Sequence, residues 1–144
     1  MSETLTSRRA IRAVGEIALR VKNLEVMAKF YEEVIGLEVM KRFPAIVFFR
    51  IAEGFAGHTQ ILALFDRSAE VPNLRLNKES TTLDHIAFTI ALEDYDAEYN
   101  RLTSHRISVR KQIFEWVQWR SLFVKDPEGN SVELVCFDDS ITQS

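Results

Sequence analysis

Three side chains in the sequence have metal-binding chemistry and comparable positions. Glu16 opens the alternating stretch EIALRV, His85 opens the similar stretch HIAFTI, and Glu133 lies in the late apolar run VELVCF. One imidazole nitrogen and two carboxylate oxygens suit Mn²⁺ or Fe²⁺, and Zn²⁺ or Ni²⁺ also accept such ligands. Three protein ligands leave coordination positions for water or substrate, which is typical of catalytic sites. We therefore predict that these residues bind one divalent metal ion, if the fold brings them together.

The elements that must position these residues come from an internal repeat. An offset of 69 residues superimposes EIALRV on HIAFTI and also aligns Ala28 with Ala97 and Phe30 with Tyr99. Similarity over a strand and a helix together indicates two copies of one supersecondary unit.

Each copy begins with a strand of period two. Ile17, Leu19 and Val21 share one face, and Glu16, Ala18 and Arg20 share the other. A helix follows, with predicted N-caps at Asn23 and Asp94 and a predicted stop at Gly36. The other predicted strands are Glu38–Met40, Ala45–Ile51 and Thr59–Phe65 in the first copy, and Ser108–Gln112, Trp116–Val124 and Ser131–Phe137 in the second.

This order predicts an α+β fold, with two βαβββ repeats whose curved mixed sheets form a shared concave cleft. We expect a flexible leader over residues 1–13 and a single domain over 14–138. Within that domain, residues 14–65 form the first unit, 66–80 the linker and 81–138 the second unit. Residues 139–144 are predicted to be a C-terminal tail.

Composition excludes several classes of function. A formal net charge of -3 and a pI near 5.7 give no reason to expect nucleic acid or a membrane surface as a partner. No apolar run approaches the roughly 18 residues that span a bilayer. The single cysteine, Cys136, suits a reducing compartment, so we expect a cytoplasmic protein.

Side chains near the three predicted ligands are candidates for substrate binding. Arg20 shares the face of Glu16, where it either holds an anionic substrate or pairs with Glu16 itself. Aligning ILALFD with VELVCFD pairs Leu62 with Glu133, so the first unit is predicted to lack a ligand in its closing strand. Gln60, Trp119 and Arg120 complete the predicted substrate-binding set.

Three stretches of the sequence resemble a known family. The stretches EIALRVKNLEVMAKFYEEVIGLEV, LDHIAF and RSLFVKDPEGNSVEL are similar to those of the vicinal oxygen chelate superfamily, which contains glyoxalase I, bleomycin- and fosfomycin-resistance proteins and extradiol dioxygenases. The resemblance implies metal ligands from the opening and closing strands, often completed across a homodimer. His85 and Glu133 match those positions, whereas Glu16 replaces the usual histidine and Leu62 replaces the carboxylate of glyoxalase I.

The resemblance implies two competing functions. The first is a metal-dependent enzyme of the glyoxalase or dioxygenase type, which chelates a small substrate through vicinal oxygens and stabilises an enolate or alkoxide. In it Glu16 is both a ligand and the candidate catalytic base. The alternative is a metal-free, bleomycin-resistance-like protein that binds a small molecule. A non-catalytic interaction domain is a third possibility.

Overall fold

The computed structural model describes residues 10, 12–68, 83 and 85–144. Most of the predicted leader, residues 1–13, and most of the predicted linker, residues 66–80, lie outside these described residues.

Both units have the predicted order of elements, and the α+β class is confirmed. The first unit contains β1 (Glu16–Val21), α1 (Leu24–Lys29) continuing as a π-helical segment (Phe30–Ile35), β2 (Glu38–Phe43), β3 (Ile46–Glu53) and β4 (Thr59–Asp66). The second contains β5 (His85–Thr89), α2 (Tyr95–Ser104), β6 (Arg110–Phe114), β7 (Trp119–Lys125) and β8 (Ser131–Phe137). Short 3₁₀ turns lie at Phe55–Gly57, Leu92–Asp94 and Glu115–Val117.

Each unit forms a four-stranded mixed sheet. The strand orders are β1-β4-β3-β2 in the first sheet and β5-β8-β7-β6 in the second. β1 pairs parallel with β4, and β5 pairs parallel with β8, while the other pairs are antiparallel. The opening and closing strands of each unit are therefore direct neighbours, as the predicted site requires.

Alternation along the strands divides each sheet into two faces. One face joins a single hydrophobic core, to which β4 contributes Leu62 and Leu64 and β8 contributes Val132 and Leu134. The opposite face, called the cleft face below, carries Glu16 in the first sheet and the following side chains in the second: His85, Ala87, Arg110, Gln112, Phe114, Trp119, Ser121, Phe123, Lys125 and Glu133.

The helix ends confirm two predictions and correct one. The Asn23 side chain accepts a hydrogen bond from the Val26 amide at 3.1 Å, so Asn23 caps α1. Gly36 ends the π-helical segment with φ +94°, a conformation that glycine adopts without strain. The predicted cap at Asp94 is wrong, because its side chain makes no capping hydrogen bond and a 3₁₀ turn leads into α2 instead.

One strand begins later than its sequence pattern predicts. The composition predicts a strand over Trp116–Val124, but Trp116 lies in the 3₁₀ turn Glu115–Val117. Gln118 then adopts φ +58°, which is incompatible with a strand, so β7 begins at Trp119. The aromatic and β-branched composition of the turn resembles that of a strand, and this similarity caused the error.

The turn Asp126–Asn130 connects the two units. Asp126 accepts hydrogen bonds from the amides of Glu128 and Asn130, each at 2.9 Å, and from the Tyr31 hydroxyl at 2.8 Å. The Glu128 carboxylate accepts hydrogen bonds from the amides of Lys22 and Asn23, just before α1. A turn of the second unit therefore binds the start and the side of the first unit's helix.

Among the described residues, no helix combines the length and hydropathy that crossing a membrane requires.

Candidate functional site

The second sheet brings His85 and Glu133 together. Ala87 pairs with Glu133 across β5 and β8, and His85 pairs with Ser131, so His85 and Glu133 are diagonal neighbours on the cleft face. The His85 Nε2 atom lies 3.2 Å from Glu133 Oε1. The two residues, 48 apart in sequence, meet because parallel pairing joins the ends of the unit.

Glu133 is held in a fixed position. Only 5% of the residue is exposed, and its second oxygen, Oε2, accepts a hydrogen bond from the Ser121 hydroxyl at 2.6 Å. A buried carboxylate is tolerated only where polar groups or a cation compensate for lost hydration. Ser121, which is fully buried in β7, and His85 provide that compensation.

The spacing of this pair is compatible with metal binding. Bonds of about 2.0–2.2 Å from one ion to an imidazole nitrogen and a carboxylate oxygen place those two atoms roughly 3 Å apart. The observed separation of 3.2 Å matches that requirement. The pair lies on the cleft face, and the His85 side chain remains 39% exposed, so a ligand can reach it.

Glu16 lies in a different place from this pair. It is exposed at the start of β1, opposite Ile61 of β4. No group of three histidine, cysteine or acidic side chains is close enough to share an ion within the described parts of this one chain. The His58 ring lies beside Gly15, the residue that precedes Glu16.

The assignment of Leu62 as the counterpart of Glu133 requires a correction of one residue. Leu62 is fully buried in the hydrophobic core, the side to which Val132 and Leu134 belong. The pairing Ala18 with Ala63 in the first sheet corresponds to the pairing of Ala87 with Glu133 in the second. Ala63 is therefore the counterpart, and the first unit still has no carboxylate there.

Two of the predicted substrate-binding residues lie in the first sheet. Arg20 is half-buried on the same face of β1 as Glu16, opposite Phe65, and no ion pair between Arg20 and Glu16 is present. The Gln60 amide donates a hydrogen bond to the Glu53 carbonyl at 3.1 Å, across the β3–β4 hairpin. Gln60 thus supports the hairpin close to the position of Glu16.

The other two lie on opposite faces of β7. Trp119 is 44% exposed on the cleft face. Arg120 points to the core side, where its guanidinium pairs with Asp138 at 2.9 Å and lies 5.5 Å from the centre of the Tyr95 ring. Hydrogen bonds from Ser140, and then from Arg120, lower the pKa of Asp138. The prediction that Arg120 faces the substrate is corrected, because neighbours in a strand alternate between faces.

Sequence reasoning missed the residues that surround the pair. Phe123 lies next to Glu133 in the register of β7 and β8, and its ring centre is 6.2 Å from that of His85. The Arg110 guanidinium lies 4.4 Å from the centre of the Phe123 ring. Alternation along β7 puts Phe123 on the same face as Trp119, but the pairing of β6 with β7 is needed to place Arg110.

Comparison with known proteins identifies the family of this fold and site. The family model described as the Glyoxalase/Bleomycin resistance protein/Dioxygenase superfamily matches residues 13–134. The chain belongs to this superfamily. The resemblance stated from the sequence is confirmed.

Similar members of the superfamily differ in what their names describe. Metallothiol transferase FosB of Staphylococcus haemolyticus is 21% identical over 125 residues, which cover 86% of this chain and 83% of that protein. Lactoylglutathione lyase from Agrobacterium tumefaciens is 28% identical, with a TM-score of 0.68 over 89% of this chain and 96% of that one. TnmS3, an antibiotic binding protein from Streptomyces sp. CB03234, is 21% identical, with a TM-score of 0.63 over 91% and 100%.

Proposed function

We propose that the protein is a divalent-metal-dependent enzyme of the glyoxalase or dioxygenase type, acting on a small substrate with vicinal oxygens. His85 and Glu133 of one chain would hold the ion, and Glu16 of a second copy would complete the site in a homodimer. The observation that carries this proposal is the 3.2 Å separation of His85 Nε2 and Glu133 Oε1 on the cleft face.

Three further features support the proposal and its setting. The Ser121 hydrogen bond fixes one oxygen of Glu133 and leaves the other beside His85, as expected of a ligand oriented by a second residue. The similarity to a metallothiol transferase and a lactoylglutathione lyase supports an enzyme. The buried thiol of Cys136, whose pKa is raised by burial, is consistent with a structural cysteine in a reducing cytoplasm.

The residues of the proposed site would have different roles, set by their charge and position. A bound divalent ion supplies Lewis acidity that stabilises an enolate or alkoxide on the substrate. His85 and Glu133 would hold that ion, and the Phe123 ring, whose centre is 6.2 Å from that of His85, would shield one side of it from water. Glu16 is exposed and makes no hydrogen bond or ion pair within the described residues, so its carboxylate is available to remove a substrate proton.

Elemental analysis of protein purified without chelator tests the metal. We expect close to one divalent ion per chain, lost in both His85→Ala and Glu133→Ala because each removes a direct ligand. His105→Ala provides the matched control, since His105 follows α2, away from the cleft face. A metal-free native protein, or full occupancy in both ligand variants, contradicts the proposal.

Mixing variants tests the role of a second copy. Glu16→Ala and His85→Ala homodimers are each expected to lose activity, while a mixed dimer contains one site with both defects and one intact site. Subunit exchange should therefore restore part of the native activity. No restoration despite demonstrated exchange contradicts a shared site, and full activity of Glu16→Ala at full metal occupancy excludes Glu16 as the base.

A specific observation supports a second candidate function, metal-free binding of a small molecule. Glu133 has a partner at each oxygen from its own chain, and Phe123 and Phe114 provide an aromatic surface at 6.4 Å between ring centres. The fold similarity to an antibiotic binding protein is compatible with this role. Ligand binding that is unchanged by a chelator, in protein that contains no metal, would select this candidate.

A further inference from the structure

In the second sheet, three side chains of different chemical type lie in a row that begins at Glu133 of the proposed metal site. Register pairs Glu133 of β8 with Phe123 of β7, and Phe123 with Arg110 of β6. A carboxylate, an aromatic ring and a guanidinium thus lie side by side on one face. Adjacent strands are about 4.8 Å apart, so the backbone of Arg110 lies roughly 10 Å from that of Glu133.

Arg110 is held in place but is not neutralised. Its guanidinium packs 4.4 Å from the centre of the Phe123 ring, and its Nη1 donates to the Gln112 side chain at 2.8 Å. In the described part of the chain no carboxylate pairs with it. Guanidinium groups have five N–H donors and bind carboxylates and phosphonates through two of them. Most of the donors of Arg110 therefore remain available.

A second cation lies on the same face of the same strand as Phe123. Lys125 follows Phe123 by two residues on the cleft face, and its ammonium donates a hydrogen bond to the Ser131 hydroxyl at 2.8 Å. No ion pair of Lys125 is found among the residues that the structure describes. Glu133, the one carboxylate paired in register with Phe123, already has Ser121 and His85 beside its two oxygens. The cationic side chains of Arg110 and Lys125 therefore favour a ligand that is both anionic and flat or apolar.

We infer that the small-molecule ligand of this protein carries an oxyanion, a carboxylate or a phosphonate, which Arg110 binds with support from Lys125 while its apolar body packs on Phe123. The inference rests on the proposed function for the location of the reacting end of the substrate. Arg110 lies two strands away from Glu133. From there it would select substrates by the charge at the end remote from the His85 and Glu133 pair.

Titration with phenylphosphonate tests this inference. Amide chemical shifts are used to monitor binding, and EDTA is present throughout. The chelator prevents direct contact between the probe and a metal ion. We expect the native protein to bind phenylphosphonate at least 10-fold more tightly than neutral benzamide. Arg110→Gln should weaken phenylphosphonate binding about 10-fold, a loss of about 1.4 kcal/mol, and leave benzamide unchanged.

Lys111→Gln provides the matched control. Lys111 precedes Gln112 in the same strand but lies on the core side, 4.2 Å from the centre of the Tyr99 ring, so less than a 2-fold change is expected. Arg110→Lys, which retains the charge but not the planar donor pair, should fall between native and Arg110→Gln. It also replaces Arg110→Gln if that variant fails to fold.

The outcomes separate this inference from the proposed function. Equal binding by native protein and Arg110→Gln, equal weakening by Lys111→Gln, or no saturable binding by the native protein overturns the inference. Metal content measured on the same preparations decides the proposed function independently. Metal-free protein with Arg110-dependent binding would retain the oxyanion site and leave only the binding role.

Discussion

The two sheets carry matching rows of residues whose chemistry differs. Ala18, Ala63 and Phe48 form a row across the first sheet, and Ala87, Glu133 and Phe123 form the equivalent row across the second. The backbone pairing and the aromatic position are the same. The exchange of alanine for glutamate in the closing strand, and of glutamate for histidine at the strand start, gives the second sheet a pair of potential ligands.

The largest effect on stability is expected at Leu62, a core residue that the sequence alignment matched to Glu133. Leu62→Ala should lower the free energy of unfolding by about 2–5 kcal/mol, because Leu62 is fully buried in the core. Ile61→Ala, on the half-buried cleft side of the same strand, should cost roughly 1 kcal/mol. Denaturation in urea measures both, and equal losses would contradict the one-residue correction.

Tyrosines in the helices of the two units provide a second comparison. Tyr31→Phe should cost about 1.5–3 kcal/mol, since its hydroxyl donates to the buried carboxylate of Asp126. Tyr95→Phe should cost about 1 kcal/mol, because its acceptor is the neutral Ser121 carbonyl. Urea denaturation of both variants measures the difference, and a larger loss for Tyr95→Phe would reverse the expected order.

Alkaline pH gives an independent measurement of the same tyrosine. Burial, followed by the charge of Asp126, raises the pKa of Tyr31 above its usual range. The contribution of the neutral phenol to stability is fully present below its unfolded pKa of about 10 and is lost as pH rises above that value. Between pH 9 and 11, native protein should therefore lose more stability than Tyr31→Phe. Parallel curves would contradict this assignment.

The smallest effect is expected at the helix starts. Asn23→Ala should cost about 1 kcal/mol, because it removes a capping hydrogen bond to the Val26 amide. Asp94→Ala should change stability by less than about 0.5 kcal/mol, since Asp94 makes no such bond. Thermal unfolding of both variants checks the difference. A cost at Asp94 as large as that at Asn23 would show that the second helix is capped.

The sequence was sufficient for most of the fold. The repeat predicted both βαβββ units, and period-two alternation placed His85 and Glu133 on one face because that pattern depends only on counting along a strand. Sequence reasoning failed where the closing strands of the two units must be aligned with each other. It matches Leu62 to Glu133, whereas the counterpart in the structure is Ala63. A shift of one residue moves a side chain to the opposite face, and composition does not fix such a shift.

The neighbours of the site depended on backbone geometry that composition does not reveal. Trp116 resembles a strand residue but lies in a turn, because Gln118 adopts a positive φ. Arg120 follows Trp119 directly, yet Asp138 binds it on the core side. The relation between Arg110 and Phe123 depends on which residues of a hairpin face each other, and this is set by the length of its turn.

The turn Asp126–Asn130 has a consequence for how the molecule unfolds. Its side chains bind the Tyr31 hydroxyl and, through Glu128, the backbone of Lys22 and Asn23. Opening either unit would break these hydrogen bonds and leave Asp126, only 4% exposed, short of a partner. Because this glycine-containing turn links the two units, neither unit should unfold independently of the other. The two copies should melt in one cooperative transition.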